Sequence, residues 1–346
     1  MRYCYLSRNY KNMRSAGSKA KTDMEQIWAE KGFVNIGLPQ TRSDNKVYSF
    51  FRTLASVCVM CFRIRRGDVL LLQYPLKKYF TFVCNVAHQK GAQVVTLIHD
   101  LGSFRRKKLT IPQEIARLSH TDALITLNDA MTSWLREQGC LLPMTSLGIW
   151  DYLSDTQAPT TLPSDIGQRP YAIAYAGALN PRKNRFLYQL EPCLHSLSFH
   201  LYGNGFEIDK VQHPERFTYH GFVDSDQLIA TVQGDFGLVW DGDSITTCTG
   251  NFGEYLRYNN PHKASLYLRC HLPLIVWDES GLVPFVRDHH IGICLHSLED
   301  LEATLSRITS DEYATLHAHV VQLSQALASG EMIQKALKTL PLPHNE

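Results

Sequence analysis

Short runs of apolar and β-branched residues alternate along this chain with longer stretches whose apolar positions recur at helical spacing, a rhythm that predicts parallel sheets with helical crossovers. In the first half, strands are expected from Arg2 to Leu6, Phe33 to Ile36, Val69 to Gln73, Val94 to Ile98 and Ala123 to Thr126, with helices from Ala20 to Glu30, Val47 to Ile64, Lys77 to Lys90 and Asp129 to Gln138. From Asp151 to Pro170 the pattern stops: Thr, Pro, Ser, Asp and Gln dominate, which marks a linker. The rhythm then restarts. Strands are predicted from Tyr171 to Ala176, Ser198 to Tyr202, Phe236 to Trp240 and Leu274 to Trp277, and helices from Lys263 to Cys270, Leu282 to Arg287 and Leu298 to Ile308. The closing stretch from Ser310 to Leu340 reads as helical throughout. The result is an α/β chain of two doubly wound, Rossmann-like domains, residues 1–155 and 156–317, expected to face each other across a cleft that receives the carboxyl ends of both sets of strands. A chain of 346 residues is longer than one core usually serves, which agrees with two.

Composition narrows the function classes. With 44% hydrophobic and 20% charged residues and a net charge of +2, the chain is neither disordered nor a strongly basic nucleic-acid binder. Nine cysteines, most in apolar surroundings such as Cys4, Cys84, Cys270 and Cys294, fit reduced thiols and a cytoplasmic location. Cys58 and Cys61 form a lone CxxC inside the apolar stretch Leu54 to Phe62, where core packing is preferred to a metal or redox role. That stretch is too short to cross a bilayer, and Met1 to Leu6 reads as a first strand, without the apolar region of a signal peptide. Arg63, Arg65 and Arg66, and the run Arg105 to Lys108, could rest on the inner membrane surface or form ordinary solvated faces.

Candidate chemistry gathers near the predicted strand ends. Asn180-Pro181-Arg182-Lys183 and Asn260-Pro261-His262-Lys263 each stand where a helix could begin, with Asn at the cap and Pro in the first turn. Each would aim backbone N–H groups, the positive end of a helix dipole and a cationic side chain at one place, as a diphosphate requires; plain helix capping is the alternative. Gly177 ends a strand, Tyr202-Gly203 begins a GxG exit and Gly221 punctuates a third segment, so backbone can approach a flat base there. The dinucleotide fingerprint is incomplete, since position 208 is Ile, and NAD binding is not supported. In the first half, Ser15-Ala16-Gly17-Ser18-Lys19 precedes a helix bearing Asp23 and would meet a phosphate or sugar, or form a surface loop. His99 and Asp100 follow the apolar strand Val94 to Ile98, where either side chain could take a proton from an acceptor hydroxyl. Asp241-Gly242-Asp243 lies too late in the chain for the metal-binding role of such a motif, but its carboxylates can accept hydrogen bonds from sugar hydroxyls.

The run from Phe236 through Asp241-Gly242-Asp243, Gly250-Asn251-Phe252-Gly253-Glu254-Tyr255 and Tyr258-Asn259-Asn260-Pro261-His262-Lys263 strongly resembles the bacterial β-1,6-galactofuranosyltransferases of O-antigen synthesis, and their relative, the glucosyltransferase that elongates glycans on streptococcal serine-rich adhesins. The similarity extends to Ala16–Ala20, Leu97-Ile98-His99-Asp100, Tyr175-Ala176-Gly177 and Leu274 to Trp277. The resemblance implies a GT-B fold, a UDP-sugar donor without metal or other cofactor, and a final helix, about 318–346, packing back on the N-terminal domain. By motif, Tyr258, Asn259, Asn260, Pro261, His262 and Lys263 would contact UDP, Arg182 or Lys183 would reach its phosphates, Gly17 and Ser18 would approach the donor from the N-terminal domain, and Asp241, Asp243 and Glu254 would line the sugar pocket. The implied reaction is an inverting transfer of galactofuranose to a free or lipid-linked glycan in lipopolysaccharide or other surface-polysaccharide synthesis, with Asp100, or second Asp23, as base. A UDP-glucose-dependent transferase and a non-catalytic binding subunit are the alternatives; a homo-oligomer is left open. Departures from the family pattern at the N-terminus and in the linker bear on the acceptor more than on the donor.

Overall fold

The computed structural model describes residues 1–10, 16–105 and 109–342, and the chain divides into two compact units, Met1–Asp151 with Gly330–Glu346, and Tyr152–Ser329. Ser15 and three residues of the predicted basic run, Arg106, Lys107 and Lys108, lie outside the described residues.

The first unit contains β1 (Arg2–Tyr5), β2 (Asn9–Tyr10), β3 (Val34–Asn35), β4 (Thr41–Arg42), β5 (Asp68–Tyr74), β6 (Gln93–Ile98), β7 (Ala123–Thr126) and β8 (Met144–Ser146). Six of these form one parallel sheet in the order β3-β1-β5-β6-β7-β8, while β2 and β4 pair separately. β5 and β6 are buried at every position, which is why both read as near-continuous apolar runs. The helices are α1 (Ala16–Glu30), α2 (Lys46–Arg63), α3 (Phe80–Gln89), α4 (Gly102–Arg105), α5 (Ile111–Leu118) and α6 (Asp129–Glu137). Asn45 caps α2 by accepting from the backbone N–H groups of Val47 and Tyr48, and Thr110 and Gln113 cap α5 reciprocally. The helix expected over 77–90 is split, with a 3₁₀ turn at Lys77–Tyr79 preceding α3. The CxxC pair is not in the core: Cys58 is exposed and Cys61 half-buried, because α2 buries Ser56, Val57 and Met60 and turns this side outward. Cys294, also expected in apolar surroundings, is half-buried, whereas Cys4, Cys84 and Cys270 are buried.

The second unit contains β9 (Ala172–Ala178), β10 (Ser198–Asn204), β11 (Phe217–Gly221), β12 (Phe236–Val239), β13 (Leu274–Trp277) and β14 (Gly292–Leu295), all parallel, in the order β11-β10-β9-β12-β13-β14. Its helices are α7 (Ser225–Thr231), α8 (Gly250–Gly253), α9 (His262–Arg269), α10 (Val283–Asp288), α11 (Leu301–Leu305) and α12 (Ser310–Ser329). Strand order reverses between β9 and β12, which makes the crevice at their carboxyl ends the expected ligand position in a doubly wound sheet. The position of α9 over that crevice is tightly set. A Cβ on Gly237 of β12 would lie 2.3 Å from the ring of Tyr267, so only glycine lets the helix approach this strand, and the Tyr267 hydroxyl accepts from Ala176 N–H of β9 at 2.7 Å. At the other end of α9, buried Arg269 donates to the carbonyl and hydroxyl of Ser324 on α12.

The closing stretch is not one helix. α12 ends at Ser329, Gly330 takes a left-handed φ of 75°, and α13 (Glu331–Thr339) follows as part of the first unit. The return to the first unit therefore falls at Gly330 and not near 318. Two contacts set the break: a Cβ on Gly330 would lie 2.5 Å from Ile27, and the buried Asp151 carboxylate accepts from the N–H groups of Met332 and Ile333 at 2.9 and 2.8 Å, capping α13. Residues 151–170 carry neither helix nor strand.

Candidate functional site

In the second unit, the crevice between β9 and β12 holds a buried charged group. Tyr175, on β9, is fully buried, and its hydroxyl lies 3.0 Å from the Trp240 carbonyl and 3.1 Å from Asp241 Oδ1. One turn before Tyr267 on α9, Lys263 extends to the same place: Nζ donates to Asp241 Oδ1 at 3.0 Å, to the Tyr175 hydroxyl at 3.1 Å and to the Trp240 carbonyl at 3.3 Å. The ammonium thus has one acceptor for each of its three hydrogens, and it also sits 4.3 Å from the centre of the Tyr175 ring. Lys183 Nζ stands 5.0 Å from the centre of the Phe252 ring.

The charges are unbalanced. Burial pushes the Asp241 carboxyl up, but Lys263 and then Lys183 outweigh it, and Asp241 ends below the ordinary carboxylate range. Burial lowers Lys263, Asp241 opposes this, and the charge of Lys183 lowers it further. Two cations against one carboxylate leave an excess of positive charge in a low-dielectric setting, the condition under which an anionic ligand is most strongly favoured. Bare backbone lies beside it. A Cβ on Gly177 would come only as near as 4.0 Å to Lys263 Nζ, and one on Gly203 would overlap the Gly177 carbonyl oxygen, so only glycine at 203 lets β10 approach β9 here.

The two tetrapeptides are built differently. The second does start a helix, but with Pro261 rather than Asn260 in the cap position; Asn260 is buried, and Pro261 offers no side-chain acceptor to the first N–H groups of α9. The first starts only a turn: the Asn180 carbonyl accepts from Lys183 and Asn184 N–H groups, and a 3₁₀ segment, Arg185–Tyr188, follows. The reason is Asn184. Its buried side chain donates to the Ala178 carbonyl at 2.6 Å and accepts from Gly242 N–H at 3.3 Å, tying the end of β9 to the Asp241–Asp243 loop before a helix can propagate. No helix dipole therefore backs Arg182 and Lys183.

Other predicted residues fall at varied places. Tyr202 is pinned by its hydroxyl to the Gln233 backbone and stacks on His220 at 4.4 Å, while Gly221 closes β11 beside open space. Tyr258 and Asn259 are half-buried in the turn before Asn260, each with its N–H on the Tyr255 carbonyl, and His262 stacks on Tyr152 at 4.6 Å. Glu254 is exposed and pairs with Arg257 at 3.4 Å, and Asp243 is exposed where Asp241 is buried. Tyr175 and Asn184 were missed by sequence reasoning: the first reads as an apolar strand residue, and the second lies one position past the motif.

In the first unit, Gly17 and Ser18 open α1, and Ser18 is buried. Asp23, on the same helix, is buried in an ion pair with Lys19 at 3.0 Å. His99 and Asp100 follow β6; His99 is buried and stacks on Trp150 at 4.5 Å, and Asp100 is half-buried. Gln73, at the end of the neighbouring β5, selects the tautomer of a neutral His99. Its Nε2 donates to the Lys21 carbonyl at 3.1 Å and lies 3.3 Å from the Tyr10 hydroxyl, so the oxygen Oε1 is the atom 2.7 Å from His99 Nε2. An amide oxygen only accepts; the neutral ring therefore carries its proton on Nε2 and its lone pair on Nδ1. The chain of contacts continues from Tyr10 to Glu25, whose other oxygen accepts from Ser7 at 2.6 Å, and burial pushes the Glu25 carboxyl up to about 7.

Comparison with known proteins extends over both units. Residues 173–340 match the C-terminal domain family of glucosyltransferase 3-like proteins, and residues 3–149 the corresponding N-terminal domain family. The chain is 30% identical over 330 residues to the β-1,6-galactofuranosyltransferase WbbI of Escherichia coli, covering 94% of each. It is 24% identical over 279 residues to glucosyltransferase 3 of Streptococcus gordonii, covering 78% of each. Among solved structures, WaaG, a glycosyltransferase involved in lipopolysaccharide biosynthesis, matches with a TM-score of 0.57 at 12% identity, over 98% of this chain and 99% of that one, which places the two Rossmann-like units in the GT-B class.

Proposed function

We propose a donor, an acceptor class and a base for this chain, which belongs to the glucosyltransferase 3-like family and is a glycosyltransferase. The donor is UDP-galactofuranose and the acceptor a glycan, free or carried on a lipid. The observation that carries the donor half of this reading is the excess of positive charge made by Lys183 and Lys263 around Asp241 at the β9/β12 crevice. A departing nucleoside diphosphate gains negative charge as the glycosidic bond breaks, so fixed cations at its pyrophosphate lower the barrier more than they favour the bound donor. With lysines in that role, turnover should survive chelation of divalent metal.

The reaction is a direct displacement. A base in the first unit, Asp100 or the Nδ1 lone pair of His99, takes the proton of an acceptor hydroxyl; that oxygen bonds to the anomeric carbon while the bond to the β-phosphate breaks and UDP leaves. One base suffices, and the configuration inverts. Asp23, in its ion pair with Lys19, is the second choice. Galactofuranose is favoured over glucose because similarity to the galactofuranosyltransferase is higher and spans more of the chain than similarity to the glucosyltransferases.

The test is a donor screen with UDP-galactofuranose, UDP-galactopyranose and UDP-glucose against alkyl glycosides, read by mass spectrometry. Transfer from the furanose alone is expected. Transfer from UDP-glucose alone replaces the donor assignment, and binding of UDP without transfer from any donor removes the catalytic reading.

A further inference from the structure

We infer that α2 is a docking face for the interface of a bilayer containing anionic lipid. The helix is apolar on two opposite sides. One side, Ser56, Val57 and Met60, is buried against the first unit, with Ser56 Oγ accepting from Leu38 N–H at 3.0 Å and donating to the Ser7 carbonyl. On the other, Val47, Phe51, Ala55, Cys58 and Phe62 follow at helical spacing and all face solvent, Val47 at 65%, Phe51 at 61% and Phe62 at 89% exposure. No charged residue interrupts this stripe, which runs for about 22 Å at 1.5 Å per residue. Tyr48 beside it and Phe82 on α3 are exposed as well. A stripe of this kind, left in water, is a standing cost, and its aromatic content is that of a surface meant to be covered.

Charge identifies the cover. Lys46 lies at the start of the stripe, Arg63, Arg65 and Arg66 at its end, and Lys78, also exposed, holds Nζ 4.3 Å from the centre of the Phe50 ring. Residues 42–90 contain nine Lys and Arg against two Asp, in a chain whose net charge is only +2, and one of those two, Asp68, is buried against Arg2. A second copy of this chain packed on the stripe by a two-fold axis would set cations against cations. Anionic headgroups complement them, and the aromatic side chains then enter the headgroup and upper acyl region. Among the described residues no helix is long and apolar enough to cross a membrane, so α2 lies on the surface and does not span it. The inference holds for any donor sugar, and is tested separately from it.

The experiment is flotation of the full chain with vesicles of phosphatidylcholine alone and of phosphatidylcholine with phosphatidylglycerol, at low and high salt. Wild type should float with the anionic vesicles, less so in high salt, and stay free of the neutral ones. The double variant F51S/F62S should bind at least about tenfold more weakly. The variants K46Q, R65Q and R66Q should each lose roughly fivefold, additively, and lose the salt response together. F62W, a conservative change, should show fluorescence quenched by brominated acyl chains. UDP affinity measured without vesicles should be equal in all of them, which separates this inference from the donor reading. Absence of wild-type binding to anionic vesicles, wild-type-like flotation of F51S/F62S, or an unquenched F62W would overturn it. A dimer in light scattering that F51S/F62S dissociates, without vesicle binding, would hand the stripe to a second copy.

Discussion

The two sheets of this protein have the same number of parallel strands and different electrostatic characters at their carboxyl ends. Counted by chain position within each sheet, the first runs 2-1-3-4-5-6 and the second 3-2-1-4-5-6, so both reverse beside their first strand, against the third strand in one and the fourth in the other. At the reversal of the second, Lys183 and Lys263 outnumber Asp241. Near that of the first, His99, Gln73, Tyr10 and Glu25 form a buried chain of hydrogen bonds in which burial pushes the Glu25 carboxyl up to about 7. In the proposed reaction the cationic end would hold the departing diphosphate and the other would place a proton. Related scaffolds have diverged by what is set at their strand ends, which is where function resides in folds of this kind.

The largest expected effect separates these roles most sharply. D100N should lower turnover by about 10² to 10⁴-fold while UDP affinity, read by calorimetry, stays within twofold or so of wild type; wild-type turnover would take Asp100 out of the base role and leave His99. Next, K263M should weaken UDP binding by about 10- to 100-fold, through the loss of one fixed positive charge beside the diphosphate. It also strands the buried Asp241 carboxylate, so the double variant K263M/D241N is the informative one: folding should recover and UDP affinity should not. Recovery of both would make the lysine a structural partner only. A smaller effect comes from Q73E, which sets a carboxylate 2.7 Å from His99 Nε2 and favours the charged ring. If His99 is the base, the acid limb of kcat/KM moves up by about one pH unit; an unmoved profile assigns the proton to Asp100. The last concerns stability. Because Glu25 is held at about 7 and not near its ordinary 4.5, the folded chain keeps a proton that the unfolded chain has released across that window, and stability falls as pH rises through it. E25Q should flatten this fall, by up to about 3 kcal/mol between pH 5 and pH 8 in urea melts. A slope unchanged in E25Q would mean that the carboxyl is not buried uncharged.

Legibility followed the range of the forces involved. Strands β5, β6, β9 and β13 could be read because burial on both faces leaves an unbroken apolar run. The helix α9 could be read from its local pattern, although Pro261 and not Asn260 takes the cap position. The turn after Asn180 could not, since Asn184 acts on Ala178 and Gly242, and the second of these lies 58 residues away. Nor could the partners of Lys263 at that crevice, Asp241, Tyr175 and the Trp240 carbonyl, which it reaches because Gly237 and Tyr267 fit together across two elements. The break at Gly330 was hidden for a related reason. A single glycine within a helical pattern costs only about 1 kcal/mol and is often carried through, and what ends the helix here is Ile27 and Asp151, both far away in sequence.

The cap that Asp151 places on α13 has a consequence for how this enzyme can be rebuilt. The last residue before the chain leaves the first unit is bonded to the second and third residues of the helix to which it returns, and the first residue of the second unit, Tyr152, donates its N–H to Leu327 near that unit's end. Entry and exit therefore touch on both sides of the crossing, and residues 152–329 have the topology of an insert with adjacent ends. Such a segment is a cassette: the corresponding stretch of a relative can be spliced in at two neighbouring junctions while the host sheet is left uncut, and the proposed diphosphate cradle would travel with it.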